Sequence, residues 1–88
     1  MKFTYQINIE PKELSVLNAV VESYIDLCSP ISSNHLKKHY FNNYSSSHIR
    51  FLMNSLEKKN LLMHYHISGG RVPTDLGYRI YVDSFGDI

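Results

Sequence analysis

Apolar residues recur at helical spacing in three segments that precede one segment of alternating residues. The first segment, residues 11–28, predicts an amphipathic helix that begins at Pro11 and is stopped by Ser29-Pro30. Residues 1–10 alternate in a way that is typical of a short strand or an extended arm. The inner stripe predicted for the helix consists of Leu14, Leu17, Val21, Tyr24, Ile25 and Cys28.

Two shorter helices are predicted in the middle of the chain. The serine pairs at 32–33 and 45–46 suit the starts of these helices, because serine side chains accept hydrogen bonds from free helical N–H groups. Residues 41–44 form the turn between them, and Asn60 suits the end of the second. The second helix has one apolar stripe, formed by Ile49, Leu52, Met53 and Leu56. Two helices joined by a tight turn are typical of a helix-turn-helix.

A hairpin and a last helix are predicted after this pair. Residues 61–67 alternate like a strand, and residues 68–71, Ser-Gly-Gly-Arg, favour a hairpin turn. Pro73 keeps the return strand short or at an edge because it lacks an N–H donor. Thr74 suits the cap of the last helix. The order predicts an α+β, mostly helical fold over residues 11–88: a winged helix-turn-helix with a three-helix bundle, a β-hairpin wing and a C-terminal helix.

Charge is concentrated in the middle of the chain. The 88 residues carry a formal net charge of only +1, but residues 31–72 contain six Lys or Arg against Glu57 alone, a net +5. The flanking segments, residues 1–30 and 73–88, each carry −2. A basic region between acidic ends is typical of a surface that meets phosphates.

The remaining composition limits the class of protein. One cysteine, Cys28, excludes an internal disulfide, and its place on the inner stripe predicts a buried thiol. No apolar run approaches the length of a membrane helix, and the first residues do not form a signal peptide. We therefore expect a cytoplasmic protein of one domain.

The outward face of the predicted helix 45–60 carries groups that can read DNA. Arg50 can bind guanine through two hydrogen bonds, and Asn54 can do the same with adenine. Phe51 lies between them, where its ring can contact thymine methyl groups. An ordinary amphipathic helix with a hydrated outer face would show the same pattern.

Other polar residues are predicted to lie at the DNA backbone. Serine hydroxyls and free N–H groups at a helix start can hold a phosphate, and lysines on the preceding helix can neutralise one. These candidates are Ser46, Ser47, His48, Lys37 and Lys38.

The predicted hairpin is the second DNA-contacting element. Arg71 beside Gly69 and Gly70 places a cation on a slim tip, which suits a minor groove or a run of phosphates. His64 and His66 share one strand face and can add hydrogen bonds. Without the neighbouring helix, a solvent-exposed turn would be the simpler interpretation.

Two alternatives to DNA binding remain open. Phe51 can anchor a partner protein. The histidine pairs 35/39 and 64/66 can each supply two metal ligands, as in a metal-responsive regulator, but no third ligand lies at a helpful spacing, so no metal or other cofactor is predicted. No nucleophile–base pair or phosphate loop is present, and the chain is therefore not expected to be an enzyme.

These residues resemble the N-terminal winged-helix domain of the HrcA family of bacterial heat-shock repressors. The resemblance extends from about Pro11 to Asp83. Its matching segments are AVVESYI at 19–25, Pro30 to Ser33, Ile49-Arg50, Leu56-Glu57 and GRVPTDLGYRIYVD at 70–83. The last of these is the most specific to the family.

The resemblance implies a homodimeric repressor that binds an inverted-repeat operator in double-stranded DNA upstream of chaperone genes, and whose activity depends on the chaperonin. The family's dimerisation domain, which follows this region, is expected to be absent from the chain. The family's DNA-contacting residues carry over where they match, at Arg50, His66, Ser68, Gly70 and Arg71.

The chain departs from the family where DNA would be read. Ser47-His48 stands for Ala-Thr, and Phe51-Leu52 for Asn-Glu. Ser32-Ser33 stands for the Gly-Ser of the first turn. Residues 65–71 read Tyr-His-Ile-Ser-Gly-Gly-Arg where the family has Pro-His-Thr-Ser-Ala-Gly-Arg. These differences leave the operator sequence open.

Overall fold

The structure, a computed structural model, describes residues 8–65 and 69–85. The predictions made for the arm before Asn8, for His66 and for Ser68 lie outside the described residues. Within them the chain forms the helices α1 (Pro11–Leu27), α2 (Ser33–His39), α3 (Ser46–Lys58) and α4 (Asp75–Phe85), and the strands β1 (Leu62–His64) and β2 (Arg71–Pro73). This order confirms the predicted winged helix-turn-helix.

Serine and threonine hydroxyls start three of the helices. Ser32 Oγ accepts the N–H of His35 at 3.1 Å, and Ser45 Oγ accepts that of His48 at 3.0 Å. Thr74 Oγ1 likewise accepts the N–H of Gly77 at 3.0 Å. The sequence was compatible with either of two serines as the cap of α2 and of α3. In the structure the earlier serine of each pair is the cap.

The hydrophobic core lies where α1 crosses α3, β2 and α4. The predicted α3 stripe is buried as expected. The α1 contribution differs from the prediction, because Ile25 is 56% exposed and Cys28 is exposed. Cys28 caps the helix in the left-handed conformation, with φ 53°, so its side chain leaves the line of the stripe. The buried residues of α1 are Glu13, Val16, Leu17, Ala19, Val20, Val21 and Ser23.

The wing is tied to the rest of the domain through its second strand. β1 and β2 are antiparallel, with His64 opposite Arg71 and Leu62 opposite Pro73. Ile31, between α1 and α2, exchanges two backbone hydrogen bonds with Arg71, at 2.8 and 2.9 Å. The end of β2 that is nearer the hairpin turn is therefore fixed to the start of the helix-turn-helix. Among the described residues, no helix is long and apolar enough to cross a membrane.

Candidate nucleic-acid interface

The outward face of α3 is polar, basic and unused by the core. The buried stripe turns Ser47, Arg50, Asn54 and Lys58 outward, and all four are exposed. Phe51 lies in the same face with 66% of its surface exposed. The structure thus brings together the base-reading candidates that the sequence predicted.

Arg71 does not lie where the sequence placed it. The prediction of an exposed cation on the wing tip is wrong, because Arg71 is only 6% exposed. Its Nε donates to Glu57 Oε1 at 3.1 Å, and its Nη2 donates to Asn54 Oδ1 at 2.7 Å. The backbone of Arg71 pairs with Ile31, and these side-chain hydrogen bonds hold its guanidinium against α3.

Glu57 is the residue that sequence reasoning missed. Its carboxylate lies 3.1 Å from Arg71 Nε and 3.9 Å from His64 Nδ1, so it joins α3 to both strands of the wing. The available signal was that Glu57 is the only acidic residue between positions 31 and 72. A lone carboxylate in a basic segment is a natural partner for a cation that becomes buried.

The ammonium of Lys37 also forms hydrogen bonds within the protein. Its Nζ donates to the backbone oxygens of Tyr44 at 2.6 Å and Asn42 at 3.3 Å, in the turn between α2 and α3. The ammonium of the half-buried Lys37 thus satisfies carbonyl groups of that turn, and the DNA contact predicted for Lys37 stays a prediction. Its neighbour Lys38 is exposed, as predicted.

His48 and Ser46, at the start of α3, are half-buried. The ring of His48 packs edge-on against Tyr44, with ring centres 5.1 Å apart, and Tyr44 stacks on Phe41 at 5.2 Å. Lys12 of α1 lies 5.9 Å from the centre of the Tyr44 ring. This aromatic row supports the turn, and of the three candidates at the helix start, Ser46, Ser47 and His48, only Ser47 is exposed.

Gly70 is buried just before β2, on the turn side of the hairpin, where the chain passes close to another segment. A Cβ on Gly70 would lie 2.8 Å from Pro30 Cβ and 3.1 Å from the Ile31 nitrogen. Glycine is required here by close approach of the backbone. Its place in the structure is to let the wing dock onto the start of the helix-turn-helix.

The histidine pair on α2 has no third metal ligand beside it among the described residues. The rings of His35 and His39 lie 4.5 Å apart. Burial lowers the pKa of His35, and the nearby charges of His39 and Lys38 lower it further. In the part of the chain that the structure describes, no group of three His, Cys, Asp or Glu could hold a metal ion.

No protein-family model matches the chain, but several relatives do. Heat-inducible transcription repressor HrcA of Mycoplasma genitalium is 43% identical over 75 residues, covering 85% of this chain and 22% of the relative. The same protein of Prosthecochloris aestuarii is 42% identical over 77 residues, covering 88% and 22%. That of Thermodesulfovibrio yellowstonii is 44% identical over 75 residues, covering 85% and 22%. The chain thus spans about a fifth of the length of these relatives.

A solved structure shares the fold. The crystal structure of a protein described only as hypothetical superposes with a TM-score of 0.84 at 32% identity, over 90% of this chain and 25% of that one. The matching region is likewise a minor part of the longer chain in that crystal structure.

Proposed function

Because this chain is homologous to the HrcA family of heat-inducible transcription repressors over 85–90% of its length, we propose that it is a sequence-specific DNA-binding domain of such a repressor. The observation that carries the proposal is the outward face of α3. Arg50 and Asn54 are exposed one helical turn apart, and neither contributes to the core. Polar groups that can pair with base edges are thus presented on a convex element of the right width for a major groove.

In the proposed complex, α3 enters the major groove. Arg50 and Asn54 are four residues apart, so the helical rise separates them by about 6 Å along the helix axis. This distance is close to two base-pair steps of about 3.4 Å each. Arg50 binds guanine N7 and O6, and Asn54 contacts a base about two steps away. Ser47 and the free N–H groups of the helix start face a phosphate, as does Lys38 from α2.

The operator in this proposal is an inverted repeat that controls heat-shock and chaperone genes. One domain covers one half-site, and two domains joined in a homodimer bind both halves with higher affinity because the second binding step is intramolecular. The domain described above would therefore bind a half-site weakly when alone. Control of the repressor by a chaperonin stays a prediction from the resemblance.

Phe51 favours one other function, docking to a partner protein. Its exposed ring is flanked on one side by Asn54 and Lys58 and on the other by Pro11 and Leu52, so it lies between two shallow grooves. Exposed aromatic residues at such positions are frequent anchors of protein interfaces. A docking module predicts no salt-dependent affinity for DNA.

The test is binding of this chain to a labelled duplex that carries the inverted repeat, against a scrambled duplex of the same composition, at two salt concentrations. Tighter binding to the repeat that weakens as salt rises is the expected result. Equal, salt-dependent binding to both duplexes would support a DNA-binding fold without operator choice in the isolated domain. Absence of binding at low salt would contradict the proposal and favour docking through Phe51.

A further inference from the structure

One buried guanidinium joins the wing to α3. Arg71 donates from Nη2 to Asn54 Oδ1 at 2.7 Å and from Nε to Glu57 Oε1 at 3.1 Å. Its Nη1 donates to Gly69 O at 2.6 Å. The backbone of Arg71 is held in turn by the two hydrogen bonds with Ile31. The side chain therefore has a fixed origin and three fixed acceptors.

This contact sets the orientation of the Asn54 amide. A guanidinium has donors and no acceptor, so the amide atom that faces Arg71 must be the oxygen. The nitrogen Nδ2 then points away from Arg71, and within residues 8–65 and 69–85 it donates no hydrogen bond. Asn54 is exposed. The polar group that it offers to a ligand on the outer face of α3 is therefore the NH2 group, with its two N–H donors.

A fixed donor reads a different set of bases from a freely turning amide. A free asparagine pairs with adenine by donating to N7 and accepting from N6. A donor alone suits the acceptors of the major groove, which are N7 and O6 of guanine, N7 of adenine and O4 of thymine. Cytosine presents only the N4 donor there, and two donors facing each other leave both unpaired.

We propose that Arg71 is a positioning residue that fixes Asn54 as a donor, and that Asn54 thereby selects against cytosine at the base it faces. The inference rests on the proposed function, since it requires α3 to lie in the major groove. It also changes the part played by Arg71, which acts on DNA through Asn54 instead of touching a groove or a phosphate.

The decisive variant is Asn54→Asp. A carboxylate keeps an acceptor toward Arg71, now as an ion pair, so the wing contact is retained while the outward donor is lost. Affinity is measured for wild type and variant on duplexes that carry each of the four base pairs at every half-site position in turn. Comparing the four bases within one protein removes the general loss of affinity that a new negative charge causes.

We expect wild type to disfavour cytosine on the order of tenfold at one position. Asn54→Asp should reverse that preference at the same position, because a carboxylate accepts from cytosine N4. Asn54→Ala, the matched control, should bind all four bases there about equally. If Asn54→Asp still rejects cytosine, the inference is overturned.

Arg71→Gln tests the positioning role directly. We expect it to relax discrimination at the position controlled by Asn54, to be non-additive with Asn54→Ala, and to leave the salt dependence unchanged. A uniform loss on all four bases, with a salt slope reduced by about one, would make Arg71 a phosphate contact and overturn the inference. Should Arg71→Gln fail to fold, the Asn54→Asp result decides alone.

The two proposals fail in different ways. A wild-type chain that binds no duplex at low salt contradicts the proposed function itself. A wild-type chain that binds, with base discrimination at some position that Asn54→Asp and Arg71→Gln leave unchanged, contradicts only the inference. A measurement without DNA is also available: the Nη2 protons of Arg71, which donate to Asn54, should exchange slowly with water and lose that protection in Asn54→Ala. Equally fast exchange in both proteins would overturn the contact.

Discussion

Lys59 Nζ lies 2.6 Å from Glu13 Oε1 and joins the end of α3 to the first turn of α1. Glu13 is only 4% exposed, and its carboxylate also accepts from Ser55 Oγ and from the N–H of Glu10. The Lys59 ammonium reaches Asn8 O as well, at 2.5 Å. A buried charge is tolerated here because both oxygens of the carboxylate accept hydrogen bonds. The contact fixes α3 relative to the core, and hence the face that α3 presents.

Replacing the carboxylate of Glu13 should destabilise the domain. Glu13→Gln keeps the shape but removes the charge that pairs with Lys59, so we expect a loss of about 2–3 kcal/mol in the free energy of unfolding. Chemical denaturation followed by circular dichroism measures it. Glu22→Gln, at an exposed position of the same helix, is the control and should stay within about 0.5 kcal/mol of wild type. Equal stability of the two variants would contradict the prediction.

The same carboxylate predicts how stability depends on pH. Burial raises the pKa of Glu13, but the hydrogen bonds from Lys59, Ser55 and Glu10 outweigh it, so the pKa lies below the ordinary value of 4.5. A pKa lowered by folding adds stability that is fully present above the ordinary value and is lost as the pH falls through the folded value.

The stability difference between wild type and Glu13→Gln should therefore be largest near about pH 7 and shrink toward about pH 3. Denaturation curves of both proteins across this range measure it. A difference that stays constant with pH would mean that the Glu13 carboxyl does not titrate differently in the folded and unfolded states.

Gly70 gives a prediction about how the wing packs against Pro30. Gly70→Ala would place a methyl group 2.8 Å from the ring of Pro30, which cannot swing aside, so we expect a loss of about 1–3 kcal/mol. Gly69→Asn is the matched control. Gly69 has φ 74° and open space around its Cβ position, and asparagine tolerates that conformation. Thermal melting should show Gly70→Ala well below Gly69→Asn, and the opposite order would refute the close approach.

Local elements of this fold could be predicted from sequence, because caps and apolar spacing act over a few residues. The α3 stripe, the helix start at Thr74 and the left-handed Asn60, with φ 62°, all follow from such signals. Cys28 could not be placed in this way. The predicted stripe included Cys28 because the helix was expected to extend through residue 28. In the structure α1 ends at Leu27, and Cys28 has a left-handed backbone conformation.

The candidate interface was predictable only in part. Which face of α3 is outward follows from periodicity, and Arg50 and Asn54 lie there as expected. The burial of Arg71 could not be foreseen, because it depends on Ile31, forty positions earlier in the chain, and on Glu57 of α3. Such pairings arise from tertiary packing, which local patterns do not encode.

Arg50 should determine preference at one base pair of the operator. Its removal in Arg50→Ala should cost about 1–3 kcal/mol of binding free energy and relax selectivity at that pair only. Titration of duplexes with single base-pair changes measures this. Arg79→Ala, an exposed arginine on α4, should leave affinity unchanged. An equal loss on every duplex would instead make Arg50 a phosphate contact.

The neighbouring lysines of α2 should have separate effects, although sequence alone treats them alike. Lys37 holds two carbonyl oxygens of the turn, so Lys37→Ala should lower the free energy of unfolding by about 1–2 kcal/mol. Lys38 is exposed, so Lys38→Ala should leave stability within about 0.5 kcal/mol and reduce the salt slope of DNA binding by about one unit.

Each lysine variant serves as the control for the other, since both remove one positive charge from the same helix. Denaturation curves and binding isotherms at several salt concentrations separate the two effects. A lower salt slope in Lys37→Ala with unchanged stability would show that its ammonium leaves the turn to meet a phosphate. An unchanged slope in Lys38→Ala would remove α2 from the proposed interface and leave the helix start of α3 as its main phosphate contact.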